Sequence, residues 1–206
     1  MAPFEERIQS YLDDRARTLA RIKARSVGAD ILTLTAFSVL VYAQLEGGIK
    51  DLASCVLKDL NILRPHIGRI KPKLLMWRNP EQIDTFKAKV NFEMIAVSSP
   101  FASALATPFQ VKPINRRYEM NQMDSKAVGA VYTGLGLDHS EIDKLKTKID
   151  EIVEDRNQAA HHGVPPTTAA GYMQQQVREK VDVVETVLTD FCLQLLPFFT
   201  NSLHVR

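Results

Sequence analysis

An all-α fold is what this sequence predicts, on three observations. Apolar residues recur at spacings near three, four and seven in several long segments. Residues that start and stop helices stand between those segments. The composition, 45% hydrophobic and 24% charged, is that of a chain with an ordinary packed core rather than a disordered or fibrous one. At 206 residues the chain is long enough to bury that core as one domain without disulfide or metal staples.

Residues 4–27 are densely charged, and Ile8, Leu12, Leu19 and Ile22 form a narrow apolar stripe among them, so the spacing predicts a peripheral N-terminal helix over 1–27. Gly28 ends it, and Asp30 can cap a second helix over 31–60. The face of that helix, Ile31, Leu34, Phe37, Val41, Leu45, Ile49, Leu52 and Val56, is continuous, which makes it the expected central helix. Its most apolar stretch, 31–43, is interrupted by Thr33, Thr35 and Ser38 and is shorter than the roughly 18 residues of a membrane span, so a core helix and no membrane partner are expected. Gly47 and Gly48 inside it weaken a helix by about 1 kcal/mol each relative to alanine. Either another backbone or a ligand approaches closely there, or the helix tolerates a kink.

Over 64–119 the chain turns irregular, with Pro65, Pro72, Pro80, Pro100, Pro108 and Pro113 bounding short pieces and one helix expected over 81–97. This stretch reads as an insertion on the core. A short helix over 125–133 closes at Gly134-Leu135-Gly136, and Asp138 with Glu141 has the capping-box spacing that starts the next helix. Ile142, Leu145, Ile149, Ile152 and Val153 supply its buried face, and it runs on through 156–161 to stop at Gly163. Pro165 and Pro166 delay a final helix, capped by Thr167 or Thr168 and reaching 199 on a face of Val177, Val181, Val184, Leu188, Phe191, Leu195 and Phe198. There is no internal repeat and no low-complexity tract.

Lys and Arg exceed Asp and Glu by only 26 to 24, a bias too weak to recruit nucleic acid by itself. RNA affinity would have to come from local patches: Arg15, Arg17, Arg21, Lys23 and Arg25; Arg69, Lys71 and Lys73; or Arg116 and Arg117. Each serves equally well as a solvated face. Cys55 and Cys192 lack the paired spacing of a zinc site and read as buried free thiols, and the acidic, polar start of the chain lacks a secretory pattern, so a cytoplasmic location is expected. His66, His139 and His204 are isolated. The acids Asp13, Asp14, Asp150, Glu151, Glu154 and Asp155 sit on charged helix faces where pairing to Lys144, Lys146 and Lys148 accounts for the later four, so no metal and no cofactor are expected. Neither a glycine-rich phosphate loop nor a Gly-x-Ser-x-Gly elbow is present, which removes the sequence basis for nucleotide hydrolysis and serine-esterase chemistry.

One segment departs from what core packing asks for. Glu154-Asp155-Arg156-Asn157-Gln158-Ala159-Ala160-His161-His162-Gly163 gathers a permanent cation, amides, small residues and two imidazoles at a helix end. Asn157 and His161 share a face, whereas His161 lies about 140° round the helix from Arg156, so the two heads converge only through the length of the arginine. Such a pair suits cleavage of an RNA backbone by its own 2′-hydroxyl. Histidine exchanges protons near neutrality, help typically worth about 10² to 10⁴ in rate, and arginine offers a planar fork of donors to the phosphate oxygens. The same residues also fit a plain helix end, with histidine on the last carbonyls and Arg156 paired to a nearby acid.

Arg156-Asn157-x-x-x-His161, closing a helix before a glycine-proline break, resembles the Arg-x4-6-His motif of the HEPN superfamily. Val41-Tyr42-Ala43-Gln44-Leu45-Glu46-Gly47-Gly48-Ile49-Lys50 is similar to the first core helix of the branch called RiboL-PSP-HEPN, where an acidic residue and a glycine share that helix. The stretch 123–137, ending in Gly134-Leu135-Gly136-Leu137, also resembles that branch. The resemblance covers roughly 31–60 and 121–199. It implies a bundle of four or five core helices, a homodimer with a composite active site, and metal-independent endoribonuclease activity on an RNA substrate, often in toxins or antiviral effectors. By the same resemblance Arg156 stabilises the phosphate, His161 is the catalytic base or acid, Asn157 orients phosphate or histidine, and Glu46 supports the site across the cleft. His162 stands where this branch more often has glycine, and His161 keeps the motif spacing. A neutralising antitoxin is a further implied partner. The alternative is a non-catalytic HEPN-like module that binds RNA, nucleotide or a protein and keeps the motif as architecture.

Overall fold

A computed structural model of the chain describes residues 3–66, 69–71, 73–74, 122–162, 170–201 and 204. Among the described residues there are five α-helices and no strand: α1 (Phe4–Arg25), α2 (Ile31–Leu63), α3 (Ser125–Leu135), α4 (Ser140–His162) and α5 (Ala170–Leu195). The helix expected over 81–97, most of the 64–119 insertion, Gly163, Pro165, Pro166, Thr167 and Thr168 lie outside the described residues.

The centre is α2, which touches all four other helices, and its longest contact is with α5. Helix α1 lies along both α2 and α5, α4 also packs on both, and α3 sits chiefly against α4. Val41, Leu45, Ile49, Leu52 and Val56 of α2 are buried, as are Val177, Val181, Val184, Leu188, Phe191 and Leu195 of α5. At roughly 1.5–3 kcal/mol for each fully buried large aliphatic side chain, this pair supplies a large part of the folding free energy. Ile8, Leu19 and Ile22 of α1 belong to the same core.

Helix α2 runs beyond the stretch expected of it, and by length and composition alone it could cross a membrane. Its packing against four helices makes it the core helix of the bundle. Asp30 caps it, accepting from Thr33 N–H at 2.7 Å. It ends with Arg64 in the left-handed region, at φ 44°, rather than with a glycine.

The glycine pair is resolved differently at its two positions. Gly48 is buried, and a Cβ placed on it would lie 2.4 Å from Leu188 Cδ2, so α5 approaches α2 there through the Leu188 side chain. A Cβ placed on Gly47 would lie 3.5 Å from Arg15 Nη2, ordinary contact.

Helix α3 ends as the glycines suggested: Gly136 adopts φ 74°, its N–H reaches Thr133 O at 3.0 Å, and Leu137 N–H reaches Tyr132 O at 2.9 Å. The start of α4 departs from the expected capping box. Asp138 accepts from Ser140 N–H at 3.1 Å and from its hydroxyl at 2.8 Å, while Glu141 pairs forward with Lys144 instead of reaching back. A carboxylate two residues before a donating N–H closes a local turn that competes with the box.

Candidate active site

Arg156, Asn157 and His161 stand on the last turns of α4, a helix held by its buried face of Ile142, Ile149, Ile152 and Val153. The adjoining Asp155 pairs with Lys180 of α5, whose side chain is only 7% exposed. That ion pair fixes the end of α4 to α5 just before the motif begins.

Arg156 is half-buried on the side facing α2, and its guanidinium carbon lies 4.3 Å from the centroid of the Tyr42 ring. Its Nη1 donates to Asn157 Oδ1 at 3.0 Å. Tyr42 is buried, and its hydroxyl oxygen accepts from Met123 N–H at 3.0 Å. Glu46 follows Tyr42 by one turn and so lies on the same side of α2, where it pairs with Lys50 at 2.5 Å. His161, five residues beyond Arg156 and therefore about 7.5 Å further along the axis, is exposed. The side chain of His162 lies outside the described residues.

The structure thus joins Arg156, Asn157 and Tyr42, puts Glu46 on the neighbouring turn of α2, and leaves His161 on the solvent side of the same helix end. Tyr42 is the member that sequence reasoning did not assign. A cation–aromatic stack between α2 and α4 leaves no mark in local spacing, and only Tyr42's place one turn before Glu46 hinted at the shared face. Lys180 was also missed, although a lysine between Val177 and Val181 on an otherwise apolar face is a readable signal of a buried partner.

Other polar groups have local partners. Arg15 bridges Gln44 Oε1 at 2.8 Å and Asp51 at 2.9 Å and Lys23 pairs with Asp182, so these two tie α1 to α2 and α5, while Arg17 pairs with Asp14 within α1. Arg116 and Arg117 are outside the described residues. Asp150 accepts from Ser125 N–H at 2.9 Å, Glu151 pairs with Lys148 at 3.2 Å, and Glu154 accepts from Gln158 at 3.0 Å. Each acid thus serves a separate contact. Among the described residues no group of three or more His, Cys, Asp or Glu is gathered in the manner of metal ligands. His139 Nδ1 lies 2.9 Å from Asp143, and His204 Nδ1 lies 3.5 Å from Phe198 O.

A cleft of about 170 Å³ opens between α3 and the start of α4, lined by Lys126, Gly129, His139, Asp143 and Lys146. Its nearest lining residue on α4, Lys146, is ten residues, roughly 15 Å along the helix, from Arg156, and Arg156, Asn157 and His161 do not line it.

The all-α bundle agrees with the HEPN class, an all-α fold whose members are often ribonucleases. The sequence model of the RiboL-PSP-HEPN family matches residues 6–196, and the chain belongs to that family. The match takes in α1 and the middle stretch, beyond the two segments that carried the resemblance. No curated protein and no solved structure matches the chain.

Proposed function

We propose that this protein is a metal-independent endoribonuclease that cuts RNA by attack of the 2′-hydroxyl on the adjacent phosphorus. The observation that carries the reading is an arginine held by Tyr42 and Asn157, five residues before an exposed His161, at the end of a helix in a RiboL-PSP-HEPN chain. An imidazole nitrogen of His161 takes the 2′-hydroxyl proton as the 2′-oxygen bonds to phosphorus and the bond to the 5′-oxygen breaks. The departing 5′-oxygen receives a proton from a second imidazole or from water, leaving a 2′,3′-cyclic phosphate and a 5′-hydroxyl.

The arginine answers a particular need. The C-terminal end of a helix repels anions, so a phosphate brought to this end of α4 requires a cation supplied by a side chain. A guanidinium does so with directed donors that follow the charge as it builds on the non-bridging oxygens. In this reading the active unit is a homodimer whose two Arg156/His161 pairs share one cleft, with Glu46 supporting it and His162 beside the catalytic imidazole. The cellular role that suits such chemistry is a cytoplasmic toxin or phage-defence effector restrained by a neutralising partner. The test is cleavage of RNA in EDTA, with Arg156→Ala and His161→Ala expected to stay folded and lose activity. A dimer that binds RNA yet leaves it intact at high protein concentration would establish the non-catalytic module instead.

A further inference from the structure

Tyr42 has no proton to exchange in the reaction above, yet it is held by more than core filling. Its side chain is 3% exposed, its hydroxyl is tied to Met123 N–H at 3.0 Å, and its ring meets the Arg156 guanidinium at 4.3 Å. Helix α2, the residues entering α3, and α4 therefore meet on one side chain. The guanidinium carbon lies over the ring face, and a planar fork laid flat there would carry its N–H donors along its own edge, clear of the ring. Asn157 Oδ1 takes one donor on that edge at 3.0 Å. An arginine on an open helix face samples many rotamers. The stack and the amide bond remove much of that freedom before any phosphate arrives, which is how a site is preorganised.

We propose that Tyr42 is the positioning residue for Arg156: its ring, anchored through the hydroxyl to the backbone of Met123, sets the plane in which the guanidinium presents its donors to a phosphate. This rests on Arg156 being the phosphate-binding residue of the proposed nuclease. The ring is the operative part. Tyr42→Phe keeps the stack and loses the anchor, Tyr42→Leu loses both, and Arg156→Lys keeps the charge while losing the plane without disturbing the core.

The experiment compares the wild type, these three variants and the double variant Tyr42→Leu/Arg156→Lys, each checked for a cooperative melt. Three readouts are taken: nitrogen-15 NMR of the Arg156 Nε–H group, binding of a fully 2′-O-methylated RNA oligonucleotide that cannot be cut, and kcat and KM on the matching unmodified RNA. Tyr42→Leu is expected to mobilise Arg156 and to weaken probe binding and lower kcat about tenfold each, the order expected on losing such a stack. Tyr42→Phe recovers most of that loss, Arg156→Lys shows a similar loss, and Tyr42→Leu adds little in the Arg156→Lys background. If Tyr42→Leu fails to fold, Arg156→Lys and Tyr42→Phe decide the matter, since a wild-type level of binding and turnover in Arg156→Lys overturns the proposal. So does an Arg156 side chain as ordered in folded Tyr42→Leu as in the wild type, or a Tyr42→Leu loss undiminished beside Arg156→Lys. A wild type that binds the methylated probe through Tyr42 but cuts nothing upholds the positioning role and removes the nuclease. A wild type that cuts RNA with kcat unchanged in folded Tyr42→Leu does the reverse, and one that neither binds nor cuts removes both.

Discussion

Arg156 Nη1 donates to Asn157 Oδ1 at 3.0 Å, joining through their side chains two residues that are neighbours in the chain. Successive side chains on a helix point about 100° apart and ordinarily do not meet, so the contact depends on the arginine sweeping back across the helix. A hydrogen bond to a charged group is worth roughly 1.5–3 kcal/mol. Asn157→Ala is therefore expected to lower kcat about tenfold and the melting temperature by several degrees, with the fold retained. Asn157→Asp should fare worse, because a carboxylate beside the guanidinium competes with the phosphate. Steady-state cleavage assays check this, and wild-type turnover in Asn157→Asp would contradict the role given to Asn157.

The two adjacent glycines of α2 should respond in opposite directions to alanine. At Gly47 the added methyl meets only the flexible end of Arg15, and the helix gains about 0.5–1 kcal/mol of propensity. At Gly48 it would collide with Leu188, with Cδ2 at 2.4 Å and Cδ1 at 2.9 Å, and overpacking of this kind typically costs about 1–3 kcal/mol. Urea titration should show Gly47→Ala more stable than the parent and Gly48→Ala less stable. Equal shifts of the same sign would mean that α2 and α5 do not approach as described.

The ion pair of Asp155 with Lys180 makes a second stability prediction close to the motif. Lys180 is buried to 7% exposure and Asp155 to 33%, so removing the carboxylate strands a cation that has little water. Asp155→Asn is expected to destabilise by roughly 3 kcal/mol, and replacing both partners by apolar residues, Asp155→Leu with Lys180→Met, to recover most of the loss. Chemical denaturation of the two variants beside the parent checks it. Because α4 is tethered there, Asp155→Asn should also impair RNA cleavage, and the double variant should restore part of it.

Burial pushes the Cys192 thiol up to about 12, and it raises the Cys55 thiol as well. A raised thiol value means less thiolate at a given pH, so both react slowly near neutrality, Cys192 more so because it is also inaccessible. A colorimetric thiol reagent at pH 8 should modify Cys192 only when urea unfolds the chain. Rapid labelling of Cys192 in the native protein would contradict its buried place on α5.

Much of the bundle was legible because its signals are local. The apolar periods of α2, α4 and α5, the Asp30 cap and the Gly136 stop each follow from a handful of neighbouring residues. The end of α2 was harder to read, since Arg64 takes a left-handed position that glycine usually occupies and sequence offers no warning of that. Asp138 misled for a related reason: two turn geometries compete for the same carboxylate, and spacing alone does not choose between them. At the candidate site the motif itself stood out as residues that packing does not require. What it leans on did not, because the Tyr42 stack and the Lys180 pair form only when α2, α4 and α5 come together.

The central claim is tested most directly by incubating purified protein with a labelled RNA in EDTA, beside the same oligonucleotide carrying a single 2′-deoxy substitution at the mapped cleavage position. The account predicts cleavage of the first, products ending in a 2′,3′-cyclic phosphate, protection of the second, and loss of activity by at least about 10²-fold in folded Arg156→Ala and His161→Ala. Cleavage that needs a divalent ion, tolerates the 2′-deoxy substitution or survives His161→Ala would contradict it.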